Sequence, residues 1–396
     1  MNTKIMDRLL NSYDSHKFFE EYWTEKALLI SGNGRRNFSD LFSWSKLNYL
    51  LNFTDLDDSD IHLIVGGKLK PVKEFKTNEV LAQIRVMQLL QKGATLRLNS
   101  IHTRVPEIAE FVSELGYEIG YNRINVNMYC SWPNQVGSTS HYDPRDVFIL
   151  QIEGSKKWNI FQPTIKYPIA QESALDTPPK DPYLTCTLEP GDVLYIPRGH
   201  WHYPIGTDRE SVHLTIGIKV AAGIDLMEWL LNELRHKEEW RKSFPVKINT
   251  SSQDIEKSIQ NLMGQLVDYI SERDIPSDFI DYTMGLERSN RYSLPYQVGL
   301  NILPDGIDTV FRRDKWLRTR ISVINENEFL IKVGAKDINL QGVPHSFVKN
   351  LFTEDSFTAN DIWQWSLGLD WESDIIPIIT HLVMEGIIFV EHSEDN

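Results

Sequence analysis

Cysteine is scarce in this chain of 396 residues: it has two, Cys130 and Cys186, and no C-x-x-C pair. That excludes a disulfide scaffold or a zinc ribbon and reads as two half-buried thiols in a reducing compartment. Positive charge is also short. Lysine and arginine number 41 against 55 aspartates and glutamates, a formal net charge of −14. Such a surface repels nucleic acid and anionic membranes on average and attracts basic partners. No stretch reaches the roughly 18 uninterrupted apolar residues that a membrane span needs. The N-terminal run MNTKIMDRLLNSYDSHKFFEEYW is broken by charges every few residues, unlike a secretory leader. These absences point to a cytoplasmic protein with no membrane partner. Internal repeats and low-complexity segments are missing as well.

What is present is the composition of a folded protein, 41% hydrophobic and 24% charged, long enough for two or three domains. Residues 1 to about 120 read as mixed. KFFEEYWTEKALLI begins as an amphipathic helix and ends strand-like, VLAQIRVMQLLQKG stops at Gly93, and VPEIAEFVSELG has Pro106 near its start and Gly116 at its end. From about 121 the rhythm changes to short strands between Gly and Pro turns. RINVNMYCSW alternates; VFILQIEG and KKWNIFQP read as two strands joined at Glu153-Gly154-Ser155; CTLEPGDVLYIPRG, HWHYPIG and SVHLTIGIKV follow, the last two with a turn between them. That pattern predicts a jelly roll or small barrel.

Near Ala221-Ala222-Gly223 helical spacing returns, with Leu226, Leu230 and Leu234 on one stripe and Ile255, Ile259, Leu262, Leu266 and Ile270 on another. These are either core helices or a helical pair that makes a homodimer. After about 280 a hairpin (RTRISVINENEFLIKVG), a helix capped by Thr358 or Asn360, and a final helix, Gly386 stop and strand together resemble a winged helix. The expected organisation is α+β, divided into 1–222, 223–280 and 281–396.

His141-Tyr142-Asp143 is the chain's one H-x-D. On a strand, residues two apart share a face, so His141 and Asp143 point the same way. A histidine from a neighbouring strand would complete two imidazoles and a carboxylate on one side of an octahedral metal, the facial triad of non-heme Fe(II) oxygenases. Three ligands leave two positions for a chelating 2-oxo acid and one for O2. His200, His202 and His213 are the candidates for the third ligand; His200 and His202 share a parity, so alternation does not separate them. An anionic co-substrate also needs a cation. Lys156 follows Gly154 and shares parity with Trp158 and Ile160, so it can face inward, where a ligand carboxylate would offset its burial. Lys156 and Lys157 can equally be surface lysines at a turn.

The run NMYCSWPNQVGSTSHYDPRDVFILQIEGSKKWNIF, with LEPGDVLYIPRGHWHYP and SVHLTIG, resembles the JmjC-type cupins, and within them the ribosomal oxygenase branch of the 2-oxoglutarate oxygenases. The motif matches cover residues 121 to 218, and the order of barrel, helical pair and winged helix covers nearly the whole chain. The resemblance implies a double-stranded β-helix core with N-terminal helices. It makes His141, Asp143 and His202 the iron ligands, since His202 fills the last place of P-x-G-x-x-H, and leaves His200 without a role. Lys156 takes the place of the residue that pairs with the distal carboxylate of 2-oxoglutarate, a place held by arginine in some relatives. Asn127, Tyr129 and Ser138 fall on the co-substrate pocket. His213 is either a residue behind the ligands or on the substrate side, or a core histidine.

The function expected from this reading is Fe(II)- and 2-oxoglutarate-dependent hydroxylation, with O2, of a side chain in a protein or peptide, with a basic substrate such as a ribosomal protein tail suited to the acidic surface. Removal of N-methyl groups would use the same site. A nucleic-acid-binding regulator is the rival of another class. FRRDKWLRTR, residues 311–320, carries five basic residues in its favour, but residues 341–396 hold ten acidic residues and one basic residue, Lys349.

Overall fold

The computed structural model describes residues 4–391 apart from 12, 78–79, 122, 134–138, 170–176, 246–251, 287–293 and 315. The chain divides into two compact units, residues 1–220 and 221–396. No helix among the described residues is long and apolar enough to cross a membrane.

Unit 1 opens with helices α1 (Ile5–Leu10) and α2 (Ser15–Glu21), then strand β1 (Leu28–Ile30) and helix α3 (Trp44–Phe53). The Asp14 and Ser43 side chains accept the Lys17 and Lys46 amides and so start α2 and α3. Strands β2 (Ile61–Val65) and β3 (Lys68–Leu69), a small ribbon β4 (Lys76–Thr77) and β5 (Val80–Leu81), helix α4 (Gln83–Gln91), strand β6 (Thr95–Leu98) and helix α5 (Pro106–Ile119) follow. The stop expected at Gly116 lies one turn further on. Gly116 is buried inside α5, and Gly120, at φ 73°, is the left-handed residue that ends it.

The core strands are β7 (Ile124–Ser131), β8 (Asp146–Phe161), β9 (Leu184–Leu188), β10 (Val193–Ile196) and β11 (Trp201–Ile218). They form an antiparallel sheet in the order β1-β10-β8-β11-β7-β6-β2-β3, with β9 on the second half of β8. Here the structure corrects the sequence reading: VFILQIEG and KKWNIFQP are one bent strand, and HWHYPIG and SVHLTIGIKV are another. The two run antiparallel, with register shifts between Gly206 and Ser211 and between Val212 and His213. The first half of β8 pairs with β10 and the second with β9. Two long strands that bend through both layers are what close a double-stranded β-helix. The bend needs Gly154. Its φ is 61°, and a Cβ there would fall 1.6 Å from the Glu210 carbonyl oxygen.

One face of the sheet packs Val126, Met128, Phe148, Leu150, Leu214 and Ile216 against the N-terminal helices. The opposite face encloses a smaller cluster around Val147, Ile149, Trp158, Ile160 and Leu188.

Unit 2 begins with α6 (Gly223–Arg235), α7 (Glu238–Arg241), α8 (Ser252–Ser271) and α9 (Ile275–Gly285); α9 runs across position 280. Leu230 and Leu234 are buried with Trp229, and Leu266, Tyr269, Phe279 and Tyr282 pack against them. Along α8, by contrast, Ile259, Met263, Val267 and Ile270 are exposed. Strands β12 (Val310–Arg313), β13 (Thr319–Asn325), β14 (Glu328–Val333) and β15 (Lys336–Gln341) precede helix α10 (His345–Thr353), strand β16 (Ser356–Thr358), helices α11 (Ala359–Trp365) and α12 (Ile376–Met384), and strand β17 (Ile388–Val390). β12 joins β16 and β17 in one sheet, and β13-β14-β15 forms a second. A capping box of Thr358 and Asp361 starts α11, and Gly386, at φ 66°, follows α12.

Candidate active site

His141 and Asp143 do not lie on a regular strand. His141 makes a single antiparallel bridge to His202, each amide donating to the other's carbonyl oxygen at 3.2 and 2.8 Å. Two residues on, the Gly199 amide donates to the Asp143 carbonyl oxygen at 2.9 Å. The loop carrying H-x-D is therefore stapled to the loop P-x-G and to the start of β11. Gly199, at φ 86°, is required there, because a Cβ would meet the Ile165 oxygen at 2.7 Å. This stapling, rather than strand alternation, brings the three side chains together.

One ligand atom from each of His141, Asp143 and His202 lies within 4.8 Å of the others. His202 Nε2 is 3.6 Å from Asp143 Oδ2, and the imidazole centroids are 4.5 Å apart. Nδ1 of His141 is 2.9 Å from the Thr139 carbonyl oxygen, and Nδ1 of His202 is 3.0 Å from that of His200. Carbonyls only accept, so each Nδ1 is the protonated nitrogen and each Nε2 is left as a lone pair for a metal. Burial, with His141 beside it, pushes His202 down to about 4, against the opposing pull of Asp143. It stays neutral at neutral pH, the form that ligates. His200 is turned away: its Nδ1 meets the Tyr183 hydroxyl at 2.8 Å.

Next to the triad is a pocket of about 560 Å³, counting its open mouth, whose lining includes Thr95, Arg97, Tyr129, Lys156, Trp158 and His213. Residues of β8 reach it from both sides of the bend. Val147 and Ile149 are odd-numbered, whereas Lys156 and Trp158 are even. β11 does the same, with His202 and Pro204 before its irregularity and His213 and Thr215 after it. On β8 the extra residue is Ile152, between the partners of Val212 and His213, and on β11 residues 207–210 stand opposite Ser155 alone; these shifts switch the inward parity and bring Lys156 inside.

Lys156 is completely buried and Lys157 is exposed. The Lys156 ammonium donates to Ser131 Oγ at 2.6 Å, and burial holds it down at about 8. No carboxylate among the described residues pairs with it. Tyr129 lines the pocket, its ring stacked on His213 at 5.0 Å and 4°. Burial raises the Tyr129 phenol, while Arg97 opposes. Asn127, two residues before Tyr129 on β7, accepts the Ser100 amide at 3.1 Å and is not among the lining residues. Ser138 lies outside the described residues. His213 is a pocket residue rather than a ligand, held well below its usual range by burial and by Lys156.

Sequence reading missed Arg97 and Thr95. Both lie on β6, where TLRL puts an arginine inside a buried apolar run, and that incongruity was the available signal. Arg97 pairs across the sheet with Tyr129 on one side and His62 on the other, its Nη2 2.8 Å from His62 Nδ1. Four pocket residues hold a buried polar atom without a partner: Thr95 Oγ1, Arg97 Nε, Trp158 Nε1 and His213 Nδ1. Apolar cavities do not leave such atoms. A polar ligand that fills the pocket would satisfy them.

Residues 106–226 match the JmjC domain family. Within the matched region fall the triad, Lys156, Tyr129 and His213. Rat ribosomal oxygenase 1 is 30% identical over 222 residues, covering 54% of this chain and 36% of that protein. A Drosophila mojavensis protein named bifunctional lysine-specific demethylase and histidyl-hydroxylase NO66 is 24% identical over 262 residues, covering 62% of this chain and 29% of that protein. The chain thus matches about a third of the length of these relatives. Among solved structures, Escherichia coli ribosomal oxygenase YcfD in complex with cobalt and 2-oxoglutarate overlays with a TM-score of 0.60 at 18% identity, covering 96% of this chain and 99% of the other. At that identity the likeness to YcfD is one of fold. The two bent strands β8 and β11 are the centre of that cupin architecture.

Proposed function

We propose that the chain is an Fe(II)- and 2-oxoglutarate-dependent oxygenase that hydroxylates a side chain of a protein or peptide, with O2 as oxidant. The observation that carries this reading is the pairing of two features in one pocket: a His-Asp-His cluster and a fully buried lysine with no carboxylate partner among the described residues. The lining holds two cations, Lys156 and Arg97, against one carboxylate, Asp143. A dianionic 2-oxo acid complements that balance, and its distal carboxylate would take the remaining Lys156 donors. His141, Asp143 and His202 would hold the metal, which supplies activation of O2 coupled to decarboxylation of the co-substrate. The protein's part is to keep His202 neutral and both imidazoles oriented, to anchor the carboxylate, and to exclude bulk water with Trp158, Val147 and Ile149.

Demethylation of an N-methyl group is the second reading, favoured by the name of the fly relative. Mass spectrometry of modified substrate separates the two: hydroxylation adds one oxygen, whereas demethylation removes one CH2 and releases formaldehyde. The acidic surface favours basic substrates at long range. The apolar stripe Ile259, Met263, Val267 and Ile270 along α8 supports a homodimer built on that helix. Two buried thiols, pushed by burial to about 12 at Cys130 and about 11 at Cys186, suit a reducing compartment such as the cytoplasm.

Anaerobic addition of Fe(II) and 2-oxoglutarate tests the reading. A weak metal-to-ligand charge-transfer band is expected from the wild type and lost in His141→Ala. A wild type without the band, or a His141→Ala protein that keeps it, overturns the assignment.

A further inference from the structure

Arg145 lies between Asp143 and the first residue of β8, and none of the chemistry above uses it. It is half-buried. The chain carries 55 acidic side chains, yet none of those described pairs with this guanidinium, although its neighbours are engaged. Asp146 accepts the Tyr195 hydroxyl at 2.8 Å, and the Asp143 carboxylate faces His202. What holds Arg145 is a gap in the opposite strand. A Cβ built on Gly217 would fall 2.5 Å from Arg145 Cδ and 3.6 Å from Nη1, so the side chain lies directly across the glycine.

That position is on the inner surface of the sheet. Gly217 pairs with Val147 and Thr215 pairs with Ile149, in unbroken register. Thr215, Val147 and Ile149 all line the pocket. Gly217 is two residues beyond Thr215 and shares its face, so the surface under Arg145 continues the pocket wall past the lining residues. A guanidinium in such a place has five donors in a planar fork suited to a carboxylate, and partial burial strengthens any pair it makes.

We infer that Arg145, laid across Gly217 at the mouth of the pocket, is a specificity-determining residue that binds the carboxylate of an acidic side chain close to the target residue of a polypeptide substrate. The inference rests on the oxygenase reading for the identity of the pocket and adds to it a local sequence preference. It is compatible with a substrate that is basic as a whole, because long-range attraction depends on net charge and recognition at the mouth on one neighbouring group.

The test uses the full chain, loaded anaerobically with Fe(II) and 2-oxoglutarate, and a random dodecapeptide library as probe. Bound peptides from the wild type should be enriched in Asp and Glu over Lys and Arg by about tenfold, the size of one charge-assisted hydrogen bond. Arg145→Ala should flatten the enrichment, Arg145→Glu should reverse it, and Arg145→Lys should keep part of it. Gly217→Ala is the decisive variant. The backbone there accepts alanine, but the new Cβ displaces Arg145 while keeping its charge, so the enrichment should fall toward that of Arg145→Ala. Adding Gly217→Ala to Arg145→Ala should change nothing further. A wild type with no acidic enrichment, or an Arg145→Glu protein with the wild-type preference, overturns the inference. Failure of the charge-transfer band in the wild type is a separate result and concerns the oxygenase reading alone.

Discussion

Around the pocket of unit 1, Thr95, Arg97, Trp158 and His213 each bury a polar atom that nothing satisfies, and Lys156 buries a charge beside a single hydroxyl. In the most basic stretch of unit 2 the described side chains have found their partners inside the protein. Arg312 pairs with Glu391, Arg313 with Asp355 at 3.6 Å, and Arg320 with Asp281 at 2.8 Å. Asp281 also takes Lys332 at 2.9 Å. Polar groups left open in a cavity cost free energy until a ligand arrives, whereas surface pairs cost and contribute little. The contrast marks unit 1 as the place where chemistry is prepared. Within FRRDKWLRTR, Arg312, Arg313 and Arg320 are engaged with carboxylates.

The largest expected effect comes from the triad. Asp143→Ala or His202→Ala should abolish both the charge-transfer band and 2-oxoglutarate turnover, measured as succinate release. Retained turnover in either would break the comparison at its centre.

Lys156→Ala should come next. It should weaken 2-oxoglutarate binding by roughly 10- to 100-fold, the worth of charge-assisted hydrogen bonds, and leave Fe(II) binding intact; titration of the band reads both. Without co-substrate the same lysine is a liability. Its folded value of about 8 lies below the ordinary 10.5, so unfolding between those values takes up a proton. Stability of the ligand-free protein should therefore rise with pH across that window, by at most about 3 kcal/mol. Lys156→Met should lose that part of the slope in thermal unfolding measured at a series of pH values. An unchanged slope would mean the lysine is solvated.

A smaller effect is expected at Tyr129→Phe, which removes a phenol hydroxyl from the pocket lining: a few-fold rise in KM for 2-oxoglutarate or substrate, consistent with one neutral hydrogen bond. In unit 2, Val267→Lys on the exposed stripe of α8 should shift sedimentation from dimer to monomer with little change in the unfolding midpoint. The smallest change belongs to Arg312→Ala, where loss of an exposed pair should cost less than about 1 kcal/mol. A larger loss there would show that the paired charges of unit 2 carry more than surface energies.

Much of this was readable in the residues. H-x-D, G-x-K and P-x-G-x-x-H pointed to the three side chains that cluster and to the buried lysine, because the roles proposed for them allow few residue types. The helix start at Thr358 was legible for a similar reason: a cap is a local bond. Arg97 and Thr95 were not, since they reach the pocket through pairing of β6 with β7, thirty residues away, and only their odd place in an apolar run hinted at it. The end of α5 was misread because Gly116 is buried inside the helix, and a buried glycine resembles a stop when contacts are unknown.

By itself, then, the sequence determined the kinds of groups available: two imidazoles and a carboxylate suited to a metal, one lysine after a glycine, and a net charge of −14. Tertiary structure alone decided which way they face. Register shifts between β8 and β11, at Ile152 on the one and at 207–210 on the other, reverse the alternation of side chains, so even-numbered Lys156 and odd-numbered Ile149 meet in one cavity while Lys157 goes to solvent. Beside them Gly154 passes so near the Glu210 carbonyl of the other strand that a Cβ would not fit. Close approach of two distant segments is a property of the packed chain, and no local pattern encodes it.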